Sequence, residues 1–289
     1  MHINVITKYA PVALLGFLTV FGACGADSGN DTVPDEAVPV EDTSLSGELN
    51  VVGSTTVQPV AEVLAEAFEA LEPDVTVFVQ GGGSSVGVRS AVDGTADIGM
   101  ASREIRLSEL QENPELRVHT IARDGIAIVT EPGVSVNSLS KEQIKGIFAG
   151  EITNWNEAGG ENLVITVVAR EEGSGTRAAF EELVMDDALI TGNAILQPSN
   201  GAVRTSISVI PGAIGFLSFG YLDDQTKPLA VDDVLPTEEF AASGSYTIVR
   251  PLNMVTNGEP DGIASVFLEF VMSEDGQAIV ASEGYLPVR

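Results

Sequence analysis

Residues 170–180 read Arg-Glu-Glu-Gly-Ser-Gly-Thr-Arg-Ala-Ala-Phe, and their types point to anion binding. Ser174 stands between Gly173 and Gly175, so the backbone around its hydroxyl can approach a bound group closely. A β-branched run at 163–168 precedes this turn, and apolar residues from Arg177 to Met185 follow at helical spacing. The turn therefore joins a strand to a helix start, where backbone N–H groups lack partners and partial positive charge collects. Such a terminus accepts an oxyanion. Arg170, four residues before Ser174, adds a planar two-pronged donor.

Two further stretches repeat the pattern. Gly53-Ser54-Thr55-Thr56-Val57 and Gly81-Gly82-Gly83-Ser84-Ser85-Val86 each follow a strand-like run and precede helical spacing. One hydroxyl at a helix start is ordinarily a plain cap. Three such starts in one chain, each directly behind a strand, can converge on a small tetrahedral anion, which has enough oxygens to use many donors. Arg103 and Arg170 are the candidate cations, and the simpler reading of each is a surface ion pair in a very acidic protein. Trp155 reads as a packing anchor, and Asp97, at a strand end, as the cap of a turn.

Other chemistries find no support in the residues. There is no Gly-x-x-x-x-Gly-Lys-Ser/Thr run, and Val86 stands where a dinucleotide fingerprint needs its third glycine. Ser174 is flanked directly by glycines, unlike the Gly-x-Ser-x-Gly of a hydrolase elbow, and His119 is its one possible base. The single cysteine, Cys24, excludes an internal disulfide, and with His2 and His119 the only histidines a multi-histidine metal site is not expected. No catalytic residue, cofactor or metal is expected.

The elements that must position these groups alternate. Strand patterns at 47–52, 75–80, 96–101 and 125–130 are interleaved with helix patterns at 57–71 and 86–93, and a further helix is expected at 139–149, capped by Ser140 and stopped by Gly150. A helix at 200–210, a strand after Pro211-Gly212, a strand at 246–250 and helical periodicity over 261–280 complete the body. Alternation of this kind predicts a parallel α/β sheet, with ligands at the carboxyl ends of its strands. A second unit begins near Thr120 and Pro251 marks a return, so two lobes joined by two crossings are expected.

Before the body, residues 1–23 carry Lys8 and an apolar run too short for a comfortable membrane span, which fits a secretory signal. The run ends Phe21-Gly22-Ala23-Cys24, which resembles a bacterial lipoprotein cleavage box with Cys24 as the lipidated residue. Residues 24–46, rich in Asp, Glu, Pro, Ser and Gly, read as an acidic flexible tether. The 289 residues hold 14 basic and 42 acidic side chains, a net of −28. Nucleic acid and anionic membrane surfaces should repel such a chain, and any anion site in it must work through local donors.

The motifs taken together resemble the PstS-like phosphate-binding proteins of the high-affinity phosphate ABC transporter. The matching stretches are 53–57, 81–87, Ala96-Asp97-Ile98-Gly99-Met100-Ala101-Ser102-Arg103, Ile147-Phe148-Ala149-Gly150-Glu151-Ile152-Thr153-Asn154-Trp155, 170–176 and Pro211-Gly212-Ala213-Ile214-Gly215-Phe216. The resemblance implies a type II periplasmic-binding-protein fold, each lobe a mostly parallel sheet flanked by helices. Lobe I would comprise 47–122 and 251–289, and lobe II 123–250. It implies an extracytoplasmic monomer that closes on inorganic phosphate and delivers it to a permease and ATPase complex. It places Thr55, Thr56 and Ser84 on one lobe's share of the site and Arg170, Ser174, Gly175 and Thr176 on the other, with Ser54 and Arg103 completing the candidate set. Many members carry an acidic residue where this chain has Arg103; that acid accepts the proton of phosphate and so rejects sulfate. Here the device must be weaker or lie elsewhere, with Asp97 and Glu172 as candidates. The alternatives are a receptor for another tetrahedral oxyanion such as sulfate or molybdate, and a lipid-anchored sensor or adhesion-type protein.

Overall fold

The computed structural model describes residues 45–289. The signal segment, Cys24 and the tether up to residue 44 lie outside the described residues. Along the chain run β1 (Gly47–Gly53), α1 (Gln58–Leu71), β2 (Val75–Gly81), α2 (Ser84–Val92), β3 (Ile98–Ala101), α3 (Leu107–Glu112) and β4 (Leu116–Thr130). There follow β5 (Ser138–Leu139), α4 (Lys141–Ala149), β6 (Thr166–Arg170), α5 (Gly175–Phe180), β7 (Ile195–Gln197), α6 (Asn200–Val209) and β8 (Ala213–Ser218). The chain ends with β9 (Lys227–Pro228), β10 (Ala230–Val231), α7 (Glu238–Ala242), β11 (Val249–Asn257), α8 (Gly262–Val271) and α9 (Glu274–Ser282).

Local sequence accounts for many of these boundaries. Pro59 sits in the first turn of α1, where its missing N–H costs nothing. Ser140 accepts from the Gln143 N–H, Gln143 reaches back to the Ser140 N–H, and Gly150 ends α4 in the left-handed region at φ 81°. Ser273 caps α9, which breaks the expected helical run over 261–280 into α8 and α9.

Among the described residues the main sheet has the order β2-β1-β3-β11-β4-β8-β6-β7, with β9 added beside β4, while β5 and β10 pair parallel in a separate two-stranded sheet. Parallel pairs join β1 to β2 and β3 on one side and β6 to β7 and β8 on the other. The two halves meet through β4 and β11, which are antiparallel to each other. Residues 116–125 of β4 pair with β11, and residues 126–130 pair with β8. The fold is thus two-lobed, and its crossings are themselves strands. The second unit expected to begin near Thr120 is entered along β4, which passes from its pairing with β11 to its pairing with β8 after Gly125.

Pro251 likewise lies inside β11, not at its end. It stands opposite Arg123, whose backbone N–H and carbonyl both pair with Leu286 instead. The ladder therefore loses nothing where proline has no N–H to give. Tyr246, expected in that strand, is a buried core residue whose hydroxyl donates to the Ile126 carbonyl at 2.7 Å.

Besides a smaller cluster of Val88, Ala91, Ala101, Ile105, Leu116 and Val255, the two larger hydrophobic cores among the described residues lie to either side of the crossings. One packs Leu49, Val51, Leu64, Phe68, Ile98, Met100 and Phe267, with Phe68 and Phe267 edge to face at 5.3 Å. The other packs Ile128, Phe148, Trp155, Phe180, Ile207 and Phe216, with Phe180 and Phe216 stacked at 4.3 Å. Trp155 is the anchor its sequence context predicts, fully buried with Nε1 donating to the Gly212 carbonyl at 3.0 Å. Among the described residues no helix is long and apolar enough to cross a membrane.

Candidate functional site

The first half of the site forms where β1 and β3 end. Gly53 closes β1 with φ 143°, and any Cβ there would strike the Met100 carbonyl and the Gly87 backbone. This close approach sets the 54–56 turn against α2. The Ser54 hydroxyl accepts from the N–H of Thr56 at 3.1 Å and donates to Ser102 Oγ at 2.8 Å. Ser84, at the start of α2, accepts from the Ser102 N–H at 3.0 Å. Two tyrosine hydroxyls hold the turn from behind: Tyr221 donates to the Thr55 carbonyl and Tyr285 to the Thr56 carbonyl.

The second half forms where β6 ends. Arg170 is the last residue of β6, and the strand begins three residues later than the expected 163–168 run. The earlier residues are drawn to the Asn154 loop instead, where the Ile165 N–H donates to Thr153 and the Trp155 N–H to Leu163. Arg170 is 2% exposed and gives Nε and Nη2 to the carbonyls of Gln197 and Pro198. It has no carboxylate partner among the described residues. Burial, followed by repulsion from Arg250, lowers its pKa to about 10, so it remains a cation at neutral pH. Ser174 caps α5 by accepting from the Arg177 N–H at 3.2 Å. The helix therefore starts at Gly175, two residues before the expected start at Arg177, and passes directly into a π-helical turn at Glu181–Met185. Gly175 and Thr176 are its first residues, and their N–H groups precede any intrahelical acceptor.

The halves meet directly. Thr56 Oγ1 lies 3.0 Å from Thr176 Oγ1, and the Ser85 N–H donates to the Gly173 carbonyl at 3.1 Å. Gly175 lies so close to Ser84 and Ser102 that a Cβ would sit 2.6 Å from Ser102 Oγ. Glycine at 175 is what allows the lobes to approach this far.

Three residues complete the cluster, and nothing in the local sequence marks them. Asn200, at the start of α6, donates Nδ2 to Thr56 Oγ1 at 2.9 Å. Arg250 on β11 stands in register with Asp124 on β4, and its Nη2 and Nε donate to Asp124 Oδ2 at 2.7 and 3.0 Å. From that anchor Arg250 reaches Thr56 Oγ1 at 3.2 Å and the Ser102 carbonyl at 3.0 Å. Asp124 Oδ1 is taken by the Ser218 hydroxyl and the Phe219 N–H. Burial pushes the Asp124 carboxyl upward, against the pull of Arg250 and these two donors. Since Asp124 neutralises Arg250, Arg170 is left as the uncompensated positive charge, and the cluster suits an anion even in a chain of net charge −28.

Ser54, Thr55, Thr56, Ser84, Arg170, Ser174, Gly175 and Thr176 thus come together as one cluster, while Arg103 does not join it. Its guanidinium is clamped by both Glu109 oxygens, at 2.7 and 2.8 Å, and its Nη1 also donates to the Glu104 carbonyl. Glu109 holds it because the same carboxylate closes the start of α3 on the Arg106 N–H. Burial acts to raise the Glu109 carboxyl, but the hydrogen bonds from Arg103 and Arg106 and the charges of both arginines outweigh it and hold the group below its ordinary value. Asp97 also lies apart from the cluster, accepting from the Asn50 N–H at 2.7 Å, and Glu172, close to Ser174 in the chain, is exposed. Among the described residues no group of histidine, cysteine and carboxylate side chains could hold a metal.

The chain matches the family model of the PBP superfamily domain over residues 38–275. It is 35% identical to the phosphate-binding protein PstS of Bacillus subtilis, over 95% of this chain and 92% of that one. Among solved structures it is similar to a Clostridium perfringens phosphate ABC transporter substrate-binding protein with bound phosphate. That match has 40% identity and a TM-score of 0.81, and covers 84% of this chain and all of the other. An ABC-type phosphate transport receptor from Vibrio cholerae matches with 34% identity and a TM-score of 0.70, over 82% of this chain and 99% of that one.

Proposed function

The chain belongs to the PBP superfamily and, within it, to the PstS phosphate-binding proteins, and from that membership we propose that it is an extracytoplasmic receptor that captures inorganic phosphate between its two lobes and delivers it to an ABC permease. The observation that carries this reading is the meeting of Thr56 and Thr176 beside Arg170 and the start of α5. Each lobe contributes hydroxyl or N–H donors, so an oxyanion bound there would tie the lobes together. Ser54, Thr55, Thr56, Ser84, Arg170, Ser174, Gly175 and Thr176 are the proposed phosphate-site residues. The lobes are divided at 122/123 and 250/251. The protein works as a monomer, carries no catalytic role, and is held at the outer face of the membrane by a lipid on Cys24.

Calorimetric titration of the phosphate-free protein with phosphate and then sulfate tests the receptor reading. Tight phosphate binding with weak or silent sulfate is the expected result. Equal binding of both would make the protein a general oxyanion receptor, and binding of neither would remove the transport role.

A further inference from the structure

Five buried side-chain atoms among the described residues have no hydrogen-bond partner, and two of them belong to the cluster: Thr55 Oγ1 and Asn200 Oδ1. A hydroxyl adapts, because it can donate or accept. An amide oxygen can only accept, and Asn200 is fully buried. Its Nδ2 is committed to Thr56 Oγ1, which also accepts from Arg250. The other pure acceptor nearby, Asp124, has both oxygens occupied by Arg250, Ser218 and Phe219. The carbonyls of Thr55, Thr56, Ser102 and Gly173 each already accept a hydrogen bond, and the other groups of the cluster are cations, backbone N–H groups and hydroxyls. None of these donors reaches Asn200 Oδ1, which is therefore an open acceptor that a bound anion carrying a proton of its own can complete.

We infer that Asn200 is a specificity-determining residue, its Oδ1 accepting the proton that hydrogen phosphate carries and sulfate lacks. This rests on the phosphate reading of the same cluster. A sulfate oxygen facing Oδ1 would set acceptor against acceptor and leave a buried polar group unpaired, whereas a phosphate hydroxyl completes it. The role expected of Asp97 or Glu172 thus passes to a neutral amide on α6. Neutrality fits the charge of the cluster, since a further carboxylate would cancel the charge of Arg170.

The test measures phosphate and sulfate affinities of the full-length protein, freed of phosphate, for the wild type, Asn200→Ala and Asn200→Asp. Asn200→Ala should narrow the preference for phosphate over sulfate by at least about tenfold. Asn200→Asp keeps an acceptor at the Oδ1 position while giving up the Nδ2 donor, and should preserve or widen the preference. An unchanged ratio in Asn200→Ala overturns the assignment, as does a preference lost in Asn200→Asp. If the alanine variant does not fold, the aspartate variant decides alone. Equal binding of both anions by the wild type overturns the Asn200 role while leaving oxyanion binding standing. Binding of neither overturns the phosphate reading and the assignment together.

Discussion

Thr56 and Thr176 share a hydroxyl–hydroxyl hydrogen bond of 3.0 Å, although 120 residues separate them in the chain. Thr56 is the more connected partner. It also receives Asn200 and Arg250, so one side chain gathers groups from β11, α5 and α6.

That asymmetry sets an order of effects. Thr56→Val removes the hub and Thr176→Val a single spoke, while both leave the backbone N–H groups of α5 in place. Hydrogen bonds to a charged partner contribute about 1.5–3 kcal/mol, which predicts phosphate affinity lower by about one to two orders of magnitude. Calorimetry should find the Thr56 variant the weaker of the two.

Among the described residues Arg170 is buried without a carboxylate partner and repelled by Arg250, a costly placement that a bound anion would relieve. Arg170→Gln should weaken phosphate binding by about 100-fold or more, the scale expected when a charge-assisted contact is lost. Thermal denaturation without phosphate should show this variant at least as stable as the wild type, and phosphate should raise its midpoint far less. A large loss of ligand-free stability would count against the site role of Arg170.

The Arg250–Asp124 pair obeys a different rule, because each charge already has its partner. Asp124→Ala strands a buried guanidinium and should cost about 3–5 kcal/mol in urea denaturation. Replacing both residues by apolar ones, Asp124→Leu with Arg250→Met, should recover most of that stability. Phosphate affinity should remain low in the double variant, since Thr56 and Ser102 lose the group that holds them.

Arg103 and Glu109 supply the contrasting case, a pair outside the cluster. Arg103→Gln should lower stability yet leave phosphate affinity within a few-fold of wild type. The Glu109 carboxyl is held below its ordinary value, so its contribution is present above the unfolded pKa and is lost as pH falls through the folded one. The stability gap between wild type and Glu109→Gln should therefore be full at neutral pH and close progressively below about pH 4.5, where the ordinary glutamate titrates. A gap unchanged at lower pH would show that the pairing does not depend on charge.

Much of the local structure was legible in residue types. Ser140, Gln143 and Gly150 announce both ends of α4, and Ser174 between glycines announces the strand-to-helix turn that receives Arg170. Caps and glycine conformations depend on neighbours within a few residues, so the chain itself carries them. Arg103 shows where such reasoning stops. A guanidinium beside Ser102 suits an anion, but its type does not say which carboxylate it will meet, and Glu109 reaches it only because α3 begins at Leu107.

Arg250, Asp124 and Asn200 lay beyond any local signal. Arg250 and Asp124 are 126 residues apart and meet because β11 and β4 pair antiparallel in one particular register. A shift of one residue would turn either side chain to the opposite face of the sheet. The sequence by itself determined that glycine-flanked hydroxyls would cluster at strand ends to receive an oxyanion. Only the tertiary structure decided which buried charges and amides complete the cluster, because register and lobe approach are set by two whole cores packing around two shared strands.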